Sequence, residues 1–104
     1  MHYVLLATHS PDTCPLSNSK TKELLLQVAP DIPNIAQKFG VTLVAGPFVN
    51  REHTVVTIVE ADSAESVDQL LAESRLGHWN SVRVIPSLTM EEGIEEIQRQ
   101  TPIF

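Results

Sequence analysis

The sequence predicts an α+β domain, a four-stranded antiparallel sheet with helices packed on one face. Three observations predict it. Four apolar runs rich in β-branched residues lie at 2–9, 41–49, 53–61 and 79–85. Long segments of helical periodicity separate the first run from the second and the third from the fourth. Only Asn50-Arg51-Glu52 separates the second from the third, which makes those two a hairpin. The order β-α-β-β-α-β, with one more helix at the end, is the split βαβ pattern. Right-handed crossovers then place both helices on the same face.

Each element has its own warrant. The first strand, HYVLLATH, ends at Ser10-Pro11, and the loop SPDTCPLSNS follows with two prolines and several small polar residues. Ser17, Asn18 or Ser19 caps the first helix. Leu24, Leu25, Val28, Ile32, Ile35, Ala36 and Phe39 recur at helical spacing over 20–39. Pro30 and Pro33 forbid one uninterrupted helix, so the reading is a helix to about Ala29, a kink and a shorter helix to Phe39. Gly40 closes it. In the second strand, VTLVAGPFV, Gly46-Pro47 marks a bulge or an edge. Asp62 caps a helix with Glu65 three residues on, and Val67, Leu70, Leu71 and Leu76 form its buried face up to Gly77. The fourth strand, WNSVRVI, stops at Pro86. Thr89 and Glu92 form the capping pair of a last helix whose apolar side holds Met90, Ile94 and Ile97. The tail TPIF either lies on a neighbour or frays.

Composition restricts the function classes. A chain of 104 residues fits one domain, 1–104, with a core large enough to need no staples. Net charge is −6, and the four arginines and three lysines form no stripe. Nucleic acid and anionic membrane surfaces are therefore excluded as expected partners. No stretch approaches the roughly 20 apolar residues of a membrane span. The N-terminus has no basic leader, and one cysteine makes no internal disulfide, which suits a soluble protein of a reducing cytoplasm.

The strands do not alternate apolar and polar residues as a sheet with one wet face does. Val4, Leu5, Leu6 and Ala7 run together, as do Val41, Leu43, Val44 and Ala45. Helices cover only one face. The other face calls for a partner, and a second copy of the sheet is the simplest. The alternative is a monomer whose tail covers that face.

The succession HYVLLATHS, KELLLQVA, VTLVAGPFV, HTVVTIVEA, SAESVDQLLAES and SVRVIPSL covers nearly the whole chain. It resembles the dimeric α/β-barrel superfamily, ferredoxin-like proteins whose two sheets pack face to face; GPF and VEADSAESV are the most similar pieces. That superfamily holds cofactor-independent monooxygenases, isomerases, haem enzymes and stress-response domains. The resemblance implies a dimeric barrel with an enclosed site and leaves the reaction open.

The topology also says which loops meet. If the chain runs up the first strand, it returns to that end at the hairpin turn and again at the start of the fourth strand. His9, Cys14, His53 and His78 then share the top end. In strand order 4-1-3-2, His9 is flanked by His78 on one side and His53 on the other, with strands about 4.8 Å apart. Three imidazoles, with or without the thiolate, suit zinc, copper or iron in its ferrous state. Asp12, Glu52 or Asn80 would orient the rings from behind, and Trp79 would wall the pocket. Each histidine also has a plain reading: a strand end for His9, an exposed turn for His53, a helix C-terminal cation for His78. Cys14 reads as a half-buried loop thiol rather than a nucleophile. Glu60 and Arg83, inside apolar strands, either pair or project from an edge. Glu91, Glu92, Glu95 and Glu96 form a solvated helix face. HxxxH, CxxC and HExxH spacings are absent from the sequence.

Three functions remain. The first is a homodimeric metal-binding protein, an oxidoreductase or lyase acting on a small-molecule ligand. The second is a cofactor-independent monooxygenase or isomerase using the histidines as acid and base. The third is a non-catalytic binding module.

Overall fold

A computed structural model describes residues 1–103. Four strands, β1 (His2–Thr8), β2 (Thr42–Phe48), β3 (Thr54–Glu60) and β4 (Ser81–Ser87), form one antiparallel sheet in the order β2-β3-β1-β4. This is the order expected from sequence, and the α+β arrangement is compatible with a ferredoxin-like fold. Five α-helices accompany the sheet: α1 (Ser19–Val28), α2 (Ile32–Lys38), α3 (Ala64–Glu73), α4 (Leu76–Trp79) and α5 (Met90–Arg99). None is long and apolar enough to cross a membrane.

Local chemistry sets the boundaries. The Asn18 side chain accepts the Lys20 and Thr21 N–H groups and starts α1. Pro30 lies in a 3₁₀ turn, Ala29–Asp31, and Pro33 in the first turn of α2, so the two helices abut at a kink, as the prolines require. Gly40, at φ +68°, turns the chain into Val41, whose N–H donates back to the Ala36 carbonyl at 2.8 Å. Ser63, not Asp62, caps α3 by accepting the Ser66 N–H.

The sequence expectation fails between Ser74 and Ser87. Arg75 takes a left-handed conformation, φ +62°, and ends α3 before Gly77. Residues 76–79 then form the short α4, so Trp79 is helical and β4 begins only at Ser81. β4 also runs through Pro86 to Ser87. It is an edge strand, paired with β1 alone, where a residue lacking an N–H is tolerated.

The core lies between sheet and helices. Tyr3 and Leu5 of β1 and Val59 of β3 point to that face and meet Val67 and Leu70 of α3, with Val41 and Ala61 beside them. Val67 is fully buried, which contributes about 1.5–2 kcal/mol. The opposite face carries Val4, Leu6, Val56, Ile58 and Ile85, all half-buried although no helix covers them extensively. Glu60 and Arg83 are exposed on this face, stand opposite different residues of β1, and do not pair. The last segment stands apart. α5 has no buried residue, and the radius of gyration is 16.0 Å against about 13 Å for a compact chain of this length. Of the tail, residues 101–103 are exposed without regular structure, and Phe104 lies outside the described residues.

Candidate metal centre

Register builds the site. Thr8, the last residue of β1, faces Thr54 on β3 and Ser81 on β4. One step further, antiparallel pairing sets His9 opposite His53 on one side and Asn80 on the other. The backbone keeps that pairing, for the His9 N–H donates to the His53 carbonyl at 3.2 Å. His9 continues the parity of Tyr3, Leu5 and Ala7, so its ring belongs to the helix-covered face.

Three side chains converge there. One ligand-type atom from each of His9, Cys14 and His53 lies within 4.8 Å of the others. The His9 and His53 rings meet edge to face, with centroids 5.4 Å apart. Cys14 is buried and unbridged, and both histidines are half-buried.

Each residue is held by its own segment. The Cys14 carbonyl accepts the Ser17 and Asn18 N–H groups at 2.9 and 2.8 Å. The Asn18 amide donates to the Asp12 carbonyl at 3.1 Å, which ties the Cys14 loop to the start of α1. His53 has φ +56°, the left-handed region that histidine enters more readily than most residues. Asn50 holds the turn around it. Its Oδ1 accepts the Glu52 and Thr54 N–H groups at 3.0 and 3.2 Å, and its Nδ2 donates to the Thr54 carbonyl at 2.6 Å.

Asn80 fixes the His9 ring. Its Nδ2 donates to the Leu76 carbonyl at 3.0 Å, so its Oδ1 is the atom turned to His9, 2.9 Å from Nδ1. An acceptor at Nδ1 places the proton there and leaves the Nε2 lone pair for a ligand. The Trp79 ring lies 5.1 Å from the His9 ring and walls the site. Both residues lie beside His9, Trp79 from α4 and Asn80 just before β4 rather than within the expected fourth strand; Asp12 and Glu52 are not in the converging group.

His78 does not join that group either. It is exposed in α4, and its N–H donates to the Arg75 carbonyl at 3.0 Å. The expectation that His78 flanks His9 assumed that the fourth strand begins directly after it. Instead α4 intervenes, and Asn80 occupies the flanking position. His2 lies at the other end of β1, 3.9 Å from the Glu92 carboxylate.

The Glu92 carboxyl is held below its usual range. The Thr89 N–H and hydroxyl bond to it, and His2 adds a smaller attraction. Compared with protein-family models and with curated proteins, the chain matches none.

Proposed function

We propose that His9, Cys14 and His53 bind a transition metal ion, zinc, copper or ferrous iron, in a homodimeric protein of the dimeric α/β-barrel kind that acts on a small molecule as an oxidoreductase or lyase. The observation that carries the reading is the convergence of two imidazoles and a thiol within 4.8 Å, with Asn80 bonded to Nδ1 of His9. Nitrogen and sulfur donors in this set suit these metals better than calcium or magnesium, which take oxygen. Tetrahedral zinc bonds of about 2.0–2.3 Å separate ligand atoms by about 3.5 Å. Shifts of roughly 1 Å in side chains on loop and turn would bring the group to that spacing. Three protein ligands leave a fourth position for water or substrate, the arrangement of catalytic rather than structural zinc.

The chain's own residues have defined parts in this reading. His9 donates through Nε2 while Asn80 holds its tautomer. His53 presents its ring from a backbone clamped by Asn50. Cys14 supplies the thiolate from a loop tied to α1. Trp79 excludes water from one side.

Metal analysis of protein purified without an affinity tag tests the proposal. The expected result is about one equivalent of zinc, copper or iron, lost in His9→Ala, Cys14→Ser and His53→Ala. Protein that takes up none of these metals, and is unchanged by His9→Ala, ends it. Turnover that survives chelators would instead favour acid–base chemistry by the same histidines.

A further inference from the structure

We infer that the α5 arm of one chain packs against the β2 edge of a second copy, whose own arm returns the contact. The inference rests on the homodimer reading above and adds how the two copies are joined.

Most of the large apolar side chains left exposed fall in two groups. One is the arm after β4, with Met90, Ile94 and Ile97. The other is the β2 edge, with Phe48 beside Val56 on the open face, Val49 just after it, and Leu43 beside Val59 toward the helix side. Ile94 and Ile97 follow Met90 at four and seven residues, one stripe of a helix. β2 and β4 are opposite edges of the sheet, and α5 leaves from β4, has no buried residue and approaches the sheet where Glu92 lies 3.9 Å from His2 of β1. Within one chain the two patches are therefore apart. Under a two-fold axis the arm of each copy meets the edge of the other, and the same contact forms twice.

Charge agrees with this pairing. α5 carries Glu91, Glu92, Glu95 and Glu96 against Arg99 alone. Arg51, in the turn after β2, is exposed with no carboxylate within 4.0 Å among the described residues. Size agrees too. Four seven-residue strands make a face of about 19 by 24 Å, roughly 450 Å². A stable interface buries about 800 Å² per partner, and the arm contacts extend the sheet face toward that figure.

Sedimentation of the full chain over a range of concentrations tests the inference, with an arm variant, Ile94→Glu/Ile97→Glu, and an edge variant, Phe48→Glu. These positions are exposed, and circular dichroism checks that each variant is folded; Phe48→Ser replaces Phe48→Glu if the latter is not. Each variant alone is expected to raise the dimer dissociation constant at least tenfold. An equimolar mixture is expected to dimerise at concentrations where each alone is monomeric. In the mixed pair one arm and the edge it meets are both intact, whereas neither homodimer keeps an intact contact. A wild-type dimer whose variants dimerise as tightly, or whose mixture is no tighter than its components, overturns the arm exchange and leaves the dimer standing. A monomeric wild type overturns both.

Discussion

His9 and Asn80 are joined side chain to side chain, Nδ1 to Oδ1 at 2.9 Å, across 71 residues of sequence. The bond exists because β1 and β4 pair, and it assigns the His9 proton to Nδ1 and leaves the Nε2 lone pair free for a ligand.

Removing that acceptor frees the ring without removing a ligand. Asn80→Ala is expected to weaken zinc binding by about 10- to 100-fold, the usual loss when a partner behind a metal ligand is deleted. Competition with a chromogenic chelator measures it. Affinity equal to wild type would mean that the Asn80 bond has no part in the site.

His53 carries two roles that substitution separates. His53→Gly and His53→Ala both lose the imidazole and are expected to lose the metal. At φ +56° they should differ in stability, with the alanine variant about 1 kcal/mol less stable than the glycine one, because a Cβ in the left-handed region is strained. Urea denaturation of the pair isolates the backbone contribution.

Gly46 sits at φ +86°, and a Cβ there would lie 2.6 Å from the Val56 carbonyl oxygen. Neither the conformation nor the backbone neighbour yields cheaply. Gly46→Ala is expected to destabilise the chain by more than about 1 kcal/mol, read as a lowered urea midpoint. The comparison is Gly93→Ala, where a Cβ meets nothing within 4 Å inside α5 and a gain in helix propensity is expected.

Thr89 and Glu92 hold the start of α5 by reciprocal bonds. Since Glu92 titrates lower in the folded chain than in the unfolded one, its contribution is fully present above the ordinary glutamate range. It disappears as pH falls through the lowered folded value. Helical content of α5, followed by amide exchange, should therefore drop on acidification. Thr89→Ala should remove about 1 kcal/mol of helix stability and flatten the acid dependence. A variant that keeps the wild-type acid profile would show that the capping pair does not govern α5.

Much of the molecule was legible before any coordinates. The proline kink at 29–33, the Gly40 stop and the Thr89–Glu92 cap rest on interactions between residues a few positions apart, and the four strands show in their apolar, β-branched runs. Each therefore leaves a local signature. The gathering of His9, Cys14 and His53 was legible as well, because strand directions alone send those segments to one end. The short α4 was not. Arg75 adopts a conformation more typical of glycine or asparagine, and nothing in the run from Ser74 to Asn80 announces a break before Gly77.

By itself the sequence determined the strands, the longer helices and their order, and which end of the sheet collects His9, Cys14 and His53. Only the tertiary structure decided that Asn80, and not His78, stands beside His9. Helical spacing and capping are settled within a turn of chain, but strand register is settled by the packing of Tyr3, Leu5 and Val59 against α3. A shift of one residue there turns every side chain to the opposite face, and that choice belongs to the whole fold.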